Sequence, residues 1–112
     1  MTELAQKRCI PCEGGGKPLA KKQVEALLKQ LDSRWKVIDG GKKIEATFEF
    51  KNYFRTLAFV NAVAYIVINE DHHPDISFGY KTATVMFWTH AVGGLSENDF
   101  ICAAKLDALV SS

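Results

Sequence analysis

The chain has 112 residues, 47% apolar and 24% charged, which suits one small globular domain and excludes intrinsic disorder. With 14 basic residues against 13 acidic ones the formal net charge is +1, so nothing electrostatic favours nucleic acid as a partner. The longest apolar run, Val60 to Ile68, is broken by Asn61 and falls short of the ~20 residues that span a bilayer. No leader-like segment is visible at the amino terminus, and a cytoplasmic location is expected.

In chain order, residues 1–17 read as a flexible, dispensable arm, because they lack apolar periodicity and contain Gly14-Gly15-Gly16. Cys9 and Cys12 form a CxxC within it. The spacing is compatible with an inert pair, a metal-binding pair or a redox pair, but it lacks both the second ligand pair of a structural zinc site and the flanking strand and helix of a redox motif. A single domain is expected over 18–112. Pro18 suits a helix start, and Val24, Leu27, Leu28 and Leu31 recur at helical spacing, predicting a helix over 19–32.

Trp35, Val37 and Ile38 suggest a short strand, and Asp39-Gly40-Gly41 a turn. From Lys43 to Phe50 apolar and polar residues alternate, as in a strand with one covered face. Asn52 offers a cap for a helix over 53–70, whose buried face is expected to carry Phe54, Leu57, Ala58, Asn61, Ala62 and Tyr65. A second hairpin follows over 76–78 and 82–89. In its longer strand Met86 and Trp88 share the second face, an expected core or subunit-contact position rather than a cofactor box. A last helix starts near Ser96, with Asp99 at the third position of a capping-box pattern. The sum is an α+β fold, α-β-β-α-β-β-α, with a four-stranded antiparallel sheet covered by helices on one face.

The titratable groups concentrate in two places. Asp71-His72-His73-Pro74-Asp75 ends the long helix, and His90 closes the last strand, followed by Gly93-Gly94-Leu95-Ser96-Glu97-Asn98-Asp99. Histidine exchanges protons near neutrality, so these segments, if they face one pocket, can supply an acid and a base. Asp99 also has an ordinary role available as a helix cap, and Gly93-Gly94 as a turn. No metalloprotease, calcium-loop, dinucleotide or nucleophile-elbow motif is present.

The block Asp71-His72-His73-Pro74-Asp75, then Thr89-His90, then Gly94-Leu95-Ser96-Glu97 and Asp99 resembles the pterin-4a-carbinolamine dehydratases over residues 18–110. The resemblance implies dehydration of 4a-hydroxytetrahydropterin to quinonoid dihydropterin in tetrahydropterin recycling. It implies that His72 orients the substrate, that His73 and His90 transfer protons, and that Asp99 supports His90. Asp71, His72, Pro74 and Asp75 would contribute to substrate binding. No metal and no bound cofactor are implied, the pterin being the substrate. Implied partners are an aromatic amino acid hydroxylase, functionally linked, and further copies of the chain in a homodimer or homotetramer. No nucleic acid or membrane is implied. Ile76 stands where the family more often has Trp, which leaves one aromatic wall of the pocket unaccounted for. Two alternatives stay open: a non-enzymatic dimerisation or transcriptional cofactor protein, and a small zinc protein using Cys9, Cys12, His72 and His73.

Overall fold

The computed structural model describes residues 3–10 and 16–111. Helix α1 spans Glu3–Gln6 and α2 spans Lys21–Leu28; strands β1 and β2 are Lys36–Ile38 and Lys43–Glu49. Helix α3 spans Tyr53–Glu70, strands β3 and β4 are Asp75–Phe78 and Thr82–Phe87, and α4 spans Glu97–Ser111. The strands form one antiparallel sheet in the order β1-β2-β4-β3, so the two hairpins join through their longer strands. Registers such as Ile44 opposite Phe87 and Phe48 opposite Ala83 place Ile44, Ala46, Phe48, Ala83, Val85 and Phe87 on one buried face. Helices α2, α3 and α4 cover that face through Val24, Phe59, Val63, Phe100 and Leu106. The other face is polar, with Thr47 and Thr84 hydrogen-bonded at 3.0 Å across the central strands.

Trp35 anchors the edge of the core. Its ring meets Phe48 edge-on at 5.9 Å and its indole N–H donates to Asp107 at 2.9 Å, so the ring is buried with its polar atom satisfied. No helix in the described residues is long and apolar enough to cross a membrane.

Three expectations change. Helix α2 is shorter than 19–32: Pro18 and Leu19 stay outside it, Leu19 N–H donates to the Leu95 carbonyl at 2.8 Å, and Gln23 accepts the Ala20 N–H at 2.8 Å to start the helix. Helix α3 has the expected span but a different buried face. Thr56, Phe59 and Val63 are buried, whereas Phe54 and Tyr65 are 79% and 72% exposed. Two apolar stripes share this helix, and its periodicity cannot choose between them. The third change concerns the arm expected to be loose. Within it, residues 3–10 are packed, with Leu4 and Ala5 buried against α4 and Lys105 donating to the Ala5 carbonyl at 2.7 Å. One short turn carries too few residues to show a period. Cys12, Gly14 and Gly15 lie outside the described residues.

Candidate active site

Helix α3 ends in a Schellman motif. Asp71 takes the left-handed conformation (φ 52°, ψ 43°), its N–H donating to the Ile68 carbonyl and the His72 N–H to that of Val67. The chain thus leaves the helix sharply, and Pro74 extends it into β3. On the other side, β4 runs into Thr89 and a 3-10 turn over His90–Val92, closed by Gly93 at φ 68°. Gly94 then passes Pro18 so closely that a Cβ there would lie 2.9 Å from the proline ring. The glycine pair therefore does more than turn the chain: it seats α4 against the segment leading into α2.

These two chain reversals flank an open cleft of about 430 Å³, whose lining includes Asp71, His72, His73, Trp88, Thr89 and His90. All three histidines meet there. His73 and His90 are exposed, with ring centroids 6.1 Å apart. Trp88 packs on His90 at 4.6 Å and carries the Lys43 ammonium 4.4 Å from its ring centre, a cation–π contact. Trp88, expected in the core or at a subunit contact, is half-buried and forms an aromatic wall of the cleft. Ile76 is half-buried on β3, packed against the core.

His72 is different from its neighbour. Its ring lies parallel to Phe87, with centroids 6.1 Å apart, and its Nε2 is 2.6 Å from Asp99 Oδ1. Asp99 is fully buried in the first turn of α4. Its Oδ2 accepts the Thr89 hydroxyl at 2.8 Å and the Ser96 N–H at 2.9 Å, the second bond being half of the expected capping box. Since Thr89 donates to Asp99, the 2.7 Å contact between Thr89 and Ser96 has the Ser96 hydroxyl as donor. Three donors thus converge on one carboxylate, which fixes the proton of the neutral His72 ring on Nε2. This corrects the expectation that Asp99 supports His90. The buried carboxylate is reached by the half-buried His72, whose ring stacks on Phe87, while His90 is exposed and packs on Trp88.

Asp71 also lines the cleft, but Pro74 and Asp75 do not; Asp75 opens β3 opposite Met86. Sequence reasoning missed a third wall. Cys9 and Ile10 line the cleft together with Glu70 and Asn98. Asn98 holds Ile10 at both backbone atoms, accepting its N–H at 3.1 Å and donating to its carbonyl at 2.6 Å. Glu70 accepts the Cys9 N–H at 2.8 Å and pairs with Arg8 at 2.9 Å and Lys105 at 3.8 Å. Burial pushes the Glu70 carboxyl up, but the Cys9 N–H and the charges of Lys105 and Arg8 together outweigh it and hold the pKa below the ordinary carboxylate value. The only local signal for this wall was Glu70 beside Asp71. Among the described residues no three His, Cys, Asp or Glu side chains are arranged to hold a metal ion, and the Cys12 that the zinc reading needs lies outside them.

Residues 17–109 match the family model for pterin 4 alpha carbinolamine dehydratase. The chain belongs to the pterin-4a-carbinolamine dehydratase family. Relatives that bear the family's name include a protein of Nitrosomonas eutropha, 56% identical over 98% of this chain and 96% of its own. A Legionella pneumophila relative is 48% identical over 97% of this chain and 96% of its own. Among solved structures, a transcriptional coactivator/pterin dehydratase from Brucella melitensis matches with a TM-score of 0.78 at 29% identity, over 83% of this chain and 98% of that one. A pterin dehydratase-like protein identified as a RuBisCO assembly factor in the alpha-carboxysome matches with a TM-score of 0.61 at 26% identity, over 70% and 90%. Membership in the pterin-4a-carbinolamine dehydratase family supports a pterin dehydratase activity in general terms.

Proposed function

We propose that the chain catalyses the loss of water from 4a-hydroxytetrahydropterin, giving quinonoid dihydropterin in tetrahydropterin recycling. The observation that carries this reading is the convergence of His72, His73 and His90 on one cleft, with only His72 tied to a buried carboxylate. In the reaction the C4a–O bond breaks, the ring N5 loses its proton, and the departing hydroxyl gains one. A base and an acid must therefore stand at two ends of a short reacting unit. His73 and His90, facing each other across the cleft mouth, suit these roles, each worth ~10²–10⁴-fold. His72, stacked on Phe87 and held by Asp99, suits orientation of the pterin, with the Trp88 face as an apolar wall. The balanced equation requires no cofactor. Dehydration of enzymatically generated 4a-hydroxytetrahydropterin, followed with the histidine variants, tests the reading; if all three alanine variants match the unmutated rate, it fails.

Partners belong to the same proposal. Phe54, Tyr65 and Ile68 form an exposed apolar stripe along α3, which favours self-association into a homodimer or homotetramer. A functional link to an aromatic amino acid hydroxylase and a cytoplasmic location complete the proposal. A second reading, a dimerisation or transcriptional cofactor protein, draws on the same α3 stripe and on the coactivator name of the Brucella relative. Dehydratase assays on the pure chain separate the two.

A further inference from the structure

Cys9 and Cys102 are the two cysteines of the described residues, both with free thiols, and they come from segments 93 positions apart. Their sulfurs are 3.6 Å apart, in direct contact and within reach of an S–H···S hydrogen bond. The two environments are unlike. Cys102 is fully buried within α4, whereas Cys9 is half-buried and lines the cleft. The Cys9 thiol also lies 3.6 Å from the Asn98 carbonyl, which can accept its proton. Cys9 is already located from both sides, by Glu70 on its own N–H and by Asn98 on Ile10. The hydrogen bond to Cys9 and burial both push the Cys102 thiol above its ordinary value.

We propose that Cys9 and Cys102 are a redox-convertible fastening that, when oxidised by a hydroperoxide, locks the amino-terminal wall of the cleft onto α4. The cleft admits a small oxidant to Cys9 and not to Cys102. The Cys9 thiolate attacks the peroxide, the O–O bond breaks, and Cys9 becomes a sulfenic acid while the hydroperoxide leaves as an alcohol or water. The Cys102 sulfur then attacks Cys9, the S–S bond forms, and the sulfenic hydroxyl leaves as water with the Cys102 proton. Two thiols have lost two electrons and the peroxide has gained them. The fastening is independent of what the cleft binds. Because the bond closes a loop of most of the chain, it constrains the unfolded state strongly, and a rise in melting temperature on the order of 10 °C is expected.

The test treats the full chain, and separately Cys12→Ser, with hydrogen peroxide. In both, peptide mapping should find Cys9 joined to Cys102, the melting temperature should rise by about 10 °C, and a dithiol should reverse both changes. Amide exchange at Cys9 and Ile10 should slow at least about tenfold in the oxidised form. Cys9→Ser and Cys102→Ala should show neither the link nor the rise; if Cys102→Ala does not fold, Cys9→Ser decides alone. A Cys9–Cys12 link, oxidation of Cys9 to sulfinic acid in Cys12→Ser, or a Cys9–Cys102 link with no gain in melting temperature would each overturn the proposal.

Discussion

Replacing Asp99 by Asn removes a charge while keeping the shape of the side chain, and the donors around it decide how the amide must sit. The Ser96 N–H and the Thr89 hydroxyl, at 2.9 and 2.8 Å, both need an acceptor, so the amide oxygen of Asn must take the place of Oδ2. The amide NH₂ then replaces Oδ1, 2.6 Å from His72 Nε2, and opposes a ring nitrogen that carries a proton. His72 must either move its proton to Nδ1 or swing away from Phe87. Loss of a charge-assisted bond in exchange for a neutral one costs about 1–2 kcal/mol of stability. If the bond holds the ring through the reaction, a similar loss in the transition state lowers turnover by about 5- to 30-fold. Asp99→Ala is less informative, because it leaves three buried donors unsatisfied and costs about 3–5 kcal/mol, a large part of the ~5–15 kcal/mol that holds such a domain together. Urea unfolding and the dehydration rate are measured on the same Asp99→Asn preparation. Full activity alongside reduced stability would reduce Asp99 to a helix cap and refute a role for the His72 pair.

His73→Ala or His90→Ala is expected to lower turnover by ~10²-fold for at least one of the two, with an unchanged circular dichroism spectrum, whereas His72→Ala should raise KM as well. Glu70, whose pKa is lowered on folding, binds fewer protons folded than unfolded, so its contribution is fully present above the unfolded value near 4.5 and is lost as pH falls through the lower folded value; Glu70→Gln should flatten the decline in urea midpoint below that pH. Deleting residues 1–10 exposes the site of Leu4 and is expected to cost about 2–3 kcal/mol, read as a lower melting temperature. Phe54→Glu with Tyr65→Glu, on the exposed stripe of α3, should shift sedimentation at low micromolar concentration toward the monomer, and a wild-type chain that sediments as a monomer would remove the basis for self-association.

Much of this architecture was legible because alternation and turn residues act locally. Lys43 to Glu49 alternates in the fold as in the sequence, and Asn52 caps α3 by accepting the Arg55 N–H at 2.9 Å. What stayed hidden depends on contacts distant along the chain. The inward face of α3 is chosen by where β4 and α4 lie, and both of its candidate stripes are apolar. The partner of Asp99 could not be read from the spacing of His90 and Asp99. It is set by where the chain leaves α3, which lays the His72 ring on Phe87 of β4 and within 2.6 Å of Asp99. The segment at residues 8–10 is held by Glu70 and Asn98, 61 and 88 positions away, through its backbone N–H and carbonyl groups. Every residue type except proline has both groups, so no composition or motif announces them.

Burial alternates residue by residue from Asp71 to Ile76, as in extended chain, so His72 and His73 project to opposite sides of one short span. The doubled histidine is therefore not a spare copy. One ring is a fixture turned toward Asp99, and the other is a free hand turned toward His90. Their difference is a matter of parity: adding or removing a single residue between the left-handed turn at Asp71 and the start of β3 would exchange the inward and outward rings without changing either side chain. A chain that kept both histidines but lost this parity would present the same local composition and a different cleft.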